Sequence, residues 1–339
     1  MGLESPVHDC DIAGVLVNRQ WVSIADRRPT EPVIGGDGRI RFGDAAVRLQ
    51  DIHLEFEALP QDIDDVKKIF FFADDWKLND WLLYRPAVYM CAFRRQVYLD
   101  QARLVVQSLR GIAGYTGQVV VITDIPERQA VAFLADTGPL SVVTIGAETK
   151  HETHTARYAA PLLAELQGFQ PLLYVDTDII FDAPIDATLL DILFSPLICV
   201  REDQAVRMRL NSLGGTLLQA DAAIADNGAF GFNSGVIGMR NGALHRTKLA
   251  QIVEAARRIH GHPVSATLGR FVDQPIANYV AAKTGGFDQK TITGAVRYFA
   301  QGRLQGGAHR AGIVHFWGAG NAASKLAEMQ RYLDELGGA

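Results

Sequence analysis

From Ala87 onward the sequence alternates short apolar runs with stretches of helical periodicity, and this alternation restricts the fold more than any other feature. The apolar runs AVYMCAF, QVVVITD and SVVTIGA are separated by helical patterns over residues 99–109 and 126–135. Strands and helices that alternate in this way predict parallel strands joined by right-handed crossovers. We therefore predict an α/β fold for residues 86–339, with a Rossmann-like, mostly parallel central sheet flanked by helices.

A third helical pattern, over residues 157–166, leads into the apolar segment PLLYVDTDIIF. The second half is less regular, with strand-like runs LICVRED, GFNSGVIGMR and GIVHFWG and helical patterns over 244–259 and in VDQPIANYVAAK. Ligands of parallel sheets bind beyond the carboxyl ends of the strands. Asp124 and Asp176 both follow predicted strands, so we expect the functional site near them.

Residues 1–85 differ from the rest of the chain, because short alternating segments such as DIHLEFEAL are broken by the turn sequence IGGDGR. Alternation with a period of two between turn signals is typical of strands that bury one face. We predict a small N-terminal β-rich annex that ends in a connecting arm, whose acidic stretch covers residues 61–65.

The composition excludes several classes of protein. The 339 residues are 48% hydrophobic and 21% charged, as in a globular chain, and the net charge of -5 argues against a nucleic-acid binder, which needs clustered Lys and Arg. Cys10, Cys91 and Cys199 are too few and too widely spaced for a disulfide framework. The N-terminus lacks the features of a signal peptide, and no run of about 18 apolar residues occurs. We therefore expect a cytoplasmic protein without an integral membrane segment.

The segment Asp176-Thr177-Asp178 is the first candidate site, because it places two carboxylates directly after an apolar strand. On an extended backbone residues i and i+2 point to the same side, so the two carboxylates can converge on one cation. Oxygen ligands suit Mg²⁺ or Mn²⁺, and such an ion usually keeps open positions for the phosphate oxygens of a substrate. The tripeptide therefore predicts a cation site that binds a diphosphate.

The surroundings of this tripeptide carry the prediction, because its spacing alone is common. DCD at 9–11 and DID at 62–64 have the same spacing, and we assign no metal to either. Asp176 and Asp178 lie between the apolar runs LLYV and IIF. Burying two like charges is costly and raises a carboxyl pKa, and a bound cation removes that cost. The alternative is a strand-end turn whose aspartates cap backbone amides.

Four segments, LLYVDTDIIF, GFNSGVIGMR, FVDQPIANYV and HFWG, occur in the order seen in glycosyltransferases of the GT-A fold. The chain most resembles the family 8 group, which includes glycogenin and bacterial galactosyltransferases of lipooligosaccharide synthesis. The opening AVYMCAFRRQVYLDQARLVVQSLR is similar to that group's first strand and helix. The resemblance runs from about residue 87 to 325. It implies transfer of a hexose from a nucleotide-sugar donor, a UDP-sugar, to a hydroxyl on a glycan or other acceptor.

By this resemblance Asp176 and Asp178 are metal ligands, and His315 of HFWG is the third protein ligand. An imidazole beside two carboxylates favours Mn²⁺ over Ca²⁺. Gly318 follows, where a bare backbone allows the close approach of phosphate. The family pattern continues with a phosphate-binding lysine and then Pro-Trp, whereas this segment reads HFWGAGNAASKLAE. Lys325 is the nearby candidate, and its alternative role is that of a solvated helix residue.

On the nucleotide side, the resemblance implies contacts from Ala92 and Phe93 at the end of the first strand. It also implies that the ring of Tyr98 stacks on the base, although Tyr98 can instead pack its helix on the sheet. Arg157 resembles the basic residue that meets the donor, although arginine forms structural ion pairs equally well. Thr177, between the two aspartates, belongs to the same donor-binding set.

For the donor sugar, the resemblance implies contacts from Asn233, Ser234 and Gly235, since small polar side chains beside a glycine permit close recognition of hydroxyls. The alternative is an ordinary turn. Asp273 is implied to contact the sugars and Gln274 to lie near the reacting carbon, which makes both catalytic candidates. Asp273 can instead stabilise the N-terminus of its helix electrostatically.

The similarity implies retention of the anomeric configuration, but the residues leave inversion open. Gln274 cannot ionise and cannot be the base of an inverting reaction, whereas Asp273 can, as can Asp203 at the end of the strand LICVRED. We expect acceptor contacts in variable loops such as residues 206–227.

Two other functions stay open. A sugar nucleotidyltransferase normally has a glycine-rich, basic loop after its first strand, and MCAFRRQVYLDQ has arginines but no glycine. A non-catalytic carbohydrate-binding or scaffold protein with the same fold has no need for an intact set of Asp176, Asp178 and His315.

Overall fold

The structure, a computed structural model, divides into two compact units, Met1–Arg85 and Pro86–Ala339. Up to residue 84 the described residues all lie in strands. Beyond that point the structure describes residues 85–203, 211–221, 231–260, 262–268, 273–300, 302–305 and 310–337. No helix within these ranges has the length and apolar character needed to cross a membrane.

The described strands of the first unit are β1 (Asp11–Val17), β2 (Gln20–Ser23), β3 (Arg39–Phe42), β4 (Ala45–Arg48), β5 (Ile52–His53), β6 (Phe70–Ala73) and β7 (Trp76–Tyr84). They pair antiparallel, five of them in the order β2-β1-β7-β6-β5 and the other two as the pair β3-β4. The predicted acidic arm at 61–65 lies outside the described residues, whereas the FFFA segment that follows it is strand β6.

The second unit alternates strands and helices through its first half. Its described strands are β8 (Ala87–Cys91), β9 (Gln118–Thr123), β10 (Ser141–Thr144), β11 (Leu172–Val175), β12 (Ile179–Phe181), β13 (Ile198–Glu202), β14 (Phe232–Met239), β15 (Phe287–Asp288), β16 (Val296–Ala300), β17 (Arg303–Leu304) and β18 (Ile313–Gly318). Its described α-helices are α1 (Gln96–Gly111), α2 (Glu127–Leu134), α3 (Lys150–Ala159), α4 (Asp186–Phe194), α5 (Gly215–Ala220), α6 (Arg246–His260), α7 (Gln274–Thr284) and α8 (Ala322–Gly337).

The central sheet contains the described strands in the order β10-β9-β8-β11-β14-β13-β15. Four neighbouring pairs are parallel, and β14 pairs antiparallel with both β11 and β13. The middle strands β8, β9 and β11 consist almost wholly of buried residues, because a parallel sheet is covered on both faces. The prediction of a mostly parallel sheet flanked by helices is confirmed.

The chain leaves the central sheet at the segment that carries the aspartate pair. PLLYVDTDIIF reads as one apolar strand, but β11 ends before residues 176–178, which form a turn, and β12 begins after them. Strand β12 then pairs with β18 in a second sheet, ordered β12-β18-β16-β17, where Ile179 is opposite His315. This change of sheet brings the aspartates close to a histidine from a distant part of the chain.

Helix α3 begins earlier than the sequence pattern indicated. We predicted a helix over 157–166, whereas α3 spans Lys150–Ala159 and 3-10 turns follow it. Thr149 and Glu152 form a capping box at its start, in which each side chain accepts a hydrogen bond from the other residue's backbone N–H. Arg157 therefore lies in the last turn of the helix rather than in the first.

A buried ion pair links the second sheet to helix α8. Asp182, directly after β12, is fully buried and pairs with Arg297 of β16. Its carboxylate also accepts hydrogen bonds from the Tyr332 hydroxyl of α8 and from the backbone N–H of Gly312, both at 2.9 Å. Because both oxygens of this buried carboxylate have partners, the cluster fixes the position of β18, the strand that carries His315.

We predict that Arg297→Met lowers the free energy of unfolding by about 3–5 kcal/mol, because it leaves the Asp182 carboxylate buried without its cation. Chemical denaturation followed by circular dichroism measures the change. Arg303→Met, at an exposed position of the neighbouring strand β17, is the control and should change stability by less than about 0.5 kcal/mol. Equal stability of the two variants would contradict a supporting role for the ion pair.

Candidate metal centre and active site

Three predicted ligands converge at the turn between the two sheets. Asp176, Asp178 and His315 each offer a ligand atom, and these atoms lie within 4.8 Å of one another. His315 Nε2 is 3.2 Å from Asp178 Oδ1 and 3.8 Å from Asp176 Oδ2. His315 and Asp178 are buried, and Asp176 is partly exposed. Among the described residues, this is the one group of three or more His, Cys, Asp or Glu side chains close enough to share a metal ion.

The two carboxylates meet through a turn, not through the alternation of one continuous strand. The backbone N–H of Asp176 donates to the Gly235 carbonyl of β14, and the backbone N–H of Phe316 in β18 donates to the Asp178 carbonyl, both at 2.8 Å. These bonds attach the two ends of the turn to two different sheets. The partners described for both carboxylates are side chains, so the alternative of aspartates that cap backbone amides does not fit the structure.

Gly235 leaves room for the ligands. A Cβ atom at this position would overlap the ring of His315 and would lie 2.9 Å from both Asp176 Oδ2 and Asn233 Oδ1. Any larger residue would therefore push the ligand side chains apart. Glycine is required here by the close packing of the candidate metal ligands, in addition to the predicted contact with a sugar.

Arg157 and Tyr174 hold the carboxylate of Asp176. Arg157 NH1 lies 3.0 Å from Asp176 Oδ1, and the same oxygen accepts a hydrogen bond of 2.5 Å from the Tyr174 hydroxyl. The guanidinium of Arg157 also lies 4.9 Å from the centroid of the Tyr174 ring. Burial alone would lower the pKa of Arg157, but Asp176 and Asp273 raise it well above its usual value, so the side chain stays a cation.

Lys325 reaches the site despite its distance from His315 along the chain. It lies in the first turn of α8, and its Nζ pairs with Asp178 Oδ2. Burial alone would raise the pKa of Asp178, but the charges of His315 and Lys325 hold that pKa well below its usual range. The Lys325 side chain is only 22% exposed, so it is not a freely solvated helix residue.

The donor atoms fit a divalent cation. Two carboxylate oxygens and one imidazole nitrogen suit Mn²⁺, and the carboxylates also suit Mg²⁺. His315 directs Nε2 at both carboxylates, and its ring packs against Tyr298, with centroids 5.9 Å apart. The other ring nitrogen, Nδ1, is buried and has no described hydrogen-bond partner. The ring is therefore oriented by its packing on Tyr298 and by its contact with Gly235.

Asp273 belongs to the same charged cluster. Its Oδ2 lies 3.3 Å from Arg157 Nε and accepts a hydrogen bond of 3.3 Å from the Ser234 hydroxyl. Its Oδ1 lies 3.3 Å from His154 Nδ1. Burial alone would raise the pKa of Asp273, but Arg157 and His154 lower it. Although Asp273 occupies the N-cap position of α7, its side chain makes no capping hydrogen bond.

Backbone contacts fix Gln274 and Asn233. Gln274 Oε1 accepts a hydrogen bond of 3.1 Å from the backbone N–H of Ser234, and Asn233 Oδ1 accepts one of 2.8 Å from the N–H of Gly235. Asn233, Ser234 and Gly235 lie in strand β14, so the alternative of an ordinary Asn-Ser-Gly turn is wrong. Their contacts with a sugar stay predictions.

The predicted acceptor loop borders this cluster. Of residues 206–227, the structure describes 211–221, which form a 3-10 turn and helix α5. The Ser212 carbonyl accepts a hydrogen bond of 2.9 Å from Gln274 Nε2. The loop therefore reaches a predicted catalytic residue, whereas its binding of an acceptor stays a prediction.

Four residues predicted to meet the nucleotide lie at the start of α1 and in the aspartate turn. Ala92 and Phe93 follow β8 and are buried, and Tyr98 is half-buried in the first turns of α1. The hydroxyl of Thr177 donates to the Gln101 side chain of α1 at 3.0 Å, so its described role is to tie the turn to that helix. Contacts of these four residues with a nucleotide stay predictions.

Two further candidates have structural roles in this fold, and a third lies at a strand end. A Cβ atom at Gly318 would lie 2.7 Å from Ala300 Cβ, so the packing of β18 on β16 itself requires glycine. Asp124 Oδ1 accepts a hydrogen bond of 2.8 Å from the backbone N–H of Arg94, which adopts the left-handed conformation with φ of 68°. Asp203 directly follows β13. The predicted chemical roles of Gly318 and Asp203 are not decided by these contacts.

Sequence reasoning missed two side chains of the cluster, His154 and Tyr174. His154 precedes Arg157 by three positions on α3, a spacing that places both side chains on one face of a helix. The capping box at Thr149 was the signal that would have extended the predicted helix to include it. Tyr174 precedes Asp176 by two positions, so strand alternation would have placed its hydroxyl on the same side.

We predict that Gly235→Ala weakens Mn²⁺ binding by at least about tenfold, because the added methyl group overlaps the ring of His315 and crowds Asp176. Isothermal titration calorimetry with MnCl₂ measures the affinity. In the matched control Gly294→Ala, a Cβ atom meets nothing within 4 Å, so this variant should bind Mn²⁺ as the wild type does. Wild-type affinity in a folded Gly235→Ala protein would remove His315 from the ligand set.

Comparison with solved structures identifies the fold. The galactosyltransferase LgtC in complex with donor and acceptor sugar analogs superposes with a TM-score of 0.50 and 14% identity, covering 74% of this chain and 95% of LgtC. An active-site mutant of LgtC has a TM-score of 0.48 and 13% identity, covering 73% and 95% of the two chains. For apo mouse xyloside xylosyltransferase 1 the TM-score is 0.48 and the identity 13%, with coverage of 68% and 97%. No protein-family model and no curated protein sequence matches the chain. The likeness to the LgtC complex confirms the GT-A fold.

Proposed function

We propose that this protein is a metal-dependent glycosyltransferase. It transfers a hexose from a nucleoside diphosphate sugar, a UDP-sugar in particular, to a hydroxyl acceptor and retains the anomeric configuration. The observation that carries the proposal is the convergence of Asp176, Asp178 and His315 within 4.8 Å. They meet at the carboxyl end of β11 in a GT-A fold, and ligands of open α/β sheets bind beyond such strand ends.

Asp176, Asp178 and His315 would hold Mn²⁺ or Mg²⁺. When bound, the cation would stabilise the negative charge that develops on the departing diphosphate. Arg157 and Tyr174 keep the carboxylate of Asp176 in place through Oδ1, which leaves Oδ2 on the side of His315. The chain thus orients its ligands before any substrate arrives, which is the condition for effective electrostatic catalysis.

We assign Lys325 to the donor phosphate. Its ammonium contacts Asp178, the carboxylate that would also bind the cation. Burial alone would lower the pKa of Lys325, but Asp178 raises it, so the side chain is a cation at neutral pH. A diphosphate at the cation would therefore lie within reach of a second positive charge. Helix α8 supplies this lysine even though the sequence spacing differs from the family pattern.

The state of Asp273, one of the two candidate bases, supports retention. An inverting reaction requires a protein base that takes the proton of the acceptor, and Gln274 cannot ionise. The pKa of Asp273 is lowered by Arg157 and His154 against the effect of burial, and both of its oxygens have partners. Asp273 is therefore a weak base. In a retaining reaction the departing phosphate accepts the proton, and Asp273 and Gln274 hold the sugar and the acceptor hydroxyl.

The nucleotide and the sugar are assigned to opposite sides of the aspartate turn. Strand β8 is the neighbour of β11 in the central sheet, so Ala92, Phe93 and Tyr98 lie beside the turn on the side of α1. We assign them to the base. Asn233 and Ser234 lie on β14, the other neighbour of β11, and we assign them to the sugar.

Two rival functions have less support. A sugar nucleotidyltransferase normally binds phosphate with a glycine-rich loop after its first strand, and the loop of residues 92–95 between β8 and α1 contains no glycine. A non-catalytic scaffold has no reason to hold three ligand atoms together or to keep Gly235 clear of them. The metal cluster therefore favours an enzyme.

We predict that Asp178→Asn lowers the rate of Mn²⁺-dependent transfer or donor hydrolysis by at least about a hundredfold, because the amide is neutral and a poorer ligand. Release of UDP from UDP-glucose and UDP-galactose, with MnCl₂ or with EDTA, measures the rate. Asp334→Asn, at an exposed position on α8, is the control and should retain full activity.

The wild type itself tests the proposal in the same assay. Turnover that is unchanged by EDTA, or full activity of Asp178→Asn, would contradict the metal assignment. A wild type that neither releases UDP nor binds it in a Mn²⁺-dependent manner would favour the scaffold function.

We predict opposite effects of Lys325→Met on the metal and on the nucleotide. Loss of the ammonium removes a charge that repels the cation, so the affinity for Mn²⁺ alone should rise, whereas the affinity of the Mn²⁺-loaded protein for UDP should fall by about tenfold. Calorimetric titrations with MnCl₂ and then with UDP measure both. Lys290→Met, at an exposed position, should change neither. Unchanged UDP affinity in Lys325→Met would remove Lys325 from the phosphate site.

A further inference from the structure

Trp317 is exposed beside the metal cluster. Its relative exposure is 47%, and among the Phe, Tyr and Trp side chains whose burial the structure describes it is the one that is exposed. Single exposed apolar residues are common on protein surfaces. The position of this one is unusual, because it follows His315 by two residues on the same strand, β18.

Trp317 and His315 share one face of β18. Both rings contact Tyr298 of the adjacent strand β16, with centroid distances of 6.0 Å for Trp317 and 5.9 Å for His315. Phe316, between them, faces the opposite way and packs on Phe299 and Tyr332 in the interior. This alternation is expected for a strand. The exposed indole therefore opens toward the same side as the metal ligand.

The indole rests on a rigid support. It meets the ring of Tyr298 edge to face at an interplanar angle of 76°, an arrangement that aromatic pairs prefer. The guanidinium of Arg201 lies 3.6 Å from the Tyr298 centroid, and Arg201 Nε donates to the Val296 carbonyl at 2.9 Å. Tyr298 is thus held in position, and it holds Trp317 in turn.

A fixed, exposed indole has a defined binding chemistry. Its flat apolar face accepts the C–H face of a sugar ring, whose hydroxyls point outward and remain solvated. A rigid aromatic side chain also provides contact area at low cost in conformational entropy. The nucleotide is assigned to β8 and α1 on the central sheet, whereas Trp317 belongs to the second sheet. The flat face of the indole is thus available to a ring other than the donor's base.

We propose that Trp317 is the stacking platform of the acceptor site and that the acceptor is a carbohydrate. This assignment rests on the proposed transferase function, because the metal cluster beside Trp317 defines where the donor sugar is transferred. It goes further than that function, since the acceptor class is now a saccharide rather than a protein or lipid hydroxyl.

The test measures saccharide affinity directly. Wild type, Trp317→Ala, Trp317→Phe and Leu244→Ala are titrated with glucose, galactose, lactose, maltose and cellobiose in the presence of MnCl₂ and UDP, with binding followed by saturation-transfer NMR. Leu244 is the control, because it is also apolar and 49% exposed. It follows the C-terminal end of β14, whereas Asn233 lies at the N-terminal end of that strand. UDP affinity is measured for each variant by calorimetry.

We expect the wild type to bind at least one of these saccharides and Trp317→Ala to raise its Kd by about tenfold, as the loss of an aromatic stacking contact implies. Trp317→Phe should recover part of the affinity, and Leu244→Ala should bind as the wild type does. Any change in UDP affinity caused by Trp317→Ala should be much smaller than the change in saccharide affinity.

Three results would overturn the platform: no binding of any of the five saccharides by the wild type, equal binding by wild type and Trp317→Ala, or equal losses of UDP and saccharide affinity. Failure of the proposed function is distinguishable, because it would appear as the absence of Mn²⁺-dependent UDP binding and of UDP release. If the protein lacks these UDP activities but still binds saccharide through Trp317, the carbohydrate site is supported and the transferase function is rejected.

Discussion

Two like charges held side by side, where the chain passes from one sheet to another, are the constraint on which the rest of the site depends. Asp178 is buried and Asp176 partly exposed, and two like charges placed side by side there are costly unless positive charge surrounds them. Arg157 supplies it for the first carboxylate and Lys325 for the second, which also has the His315 imidazole beside it. These three residues come from helix α3, helix α8 and strand β18, so the charge requirement brings together elements from distant parts of the chain.

The same balance supports the proposal that the site binds a metal ion together with an anion. Arg157 bridges Asp176 and Asp273, which links the proposed metal ligands to the proposed sugar contacts through one buried cation. Lys325 forms an ion pair with Asp178, and it extends to this carboxylate from the first turn of α8. A side chain in this position can turn from a carboxylate to a phosphate once a metal ion neutralises the carboxylate. The geometry therefore suits a donor that arrives together with its cation.

The sequence predicted the parallel sheet, the aspartate pair and the late histidine, because each has a local signal: apolar runs of strand length, acids within an apolar segment, and the HFWG motif. It did not predict the change of sheet at Asp176, because LLYV and IIF are equally apolar and nothing local separates a straight strand from a broken one. The phosphate contact of Gly318 stays a prediction, and its packing against Ala300 depends on strand β16, which sequence spacing does not locate. Gly235 likewise acquires its role only when His315 is brought beside it.

The central claim is that one divalent cation binds between Asp176, Asp178 and His315 and carries the donor's diphosphate. A crystal structure of the protein grown with MnCl₂ and UDP, with anomalous diffraction data collected to locate manganese, tests it most directly. We predict an anomalous peak within coordination distance, about 2.0–2.3 Å, of a carboxylate oxygen from each aspartate and of His315 Nε2, with the UDP phosphates on its open side. A manganese peak elsewhere, or UDP bound with no metal between these three side chains, would contradict the account.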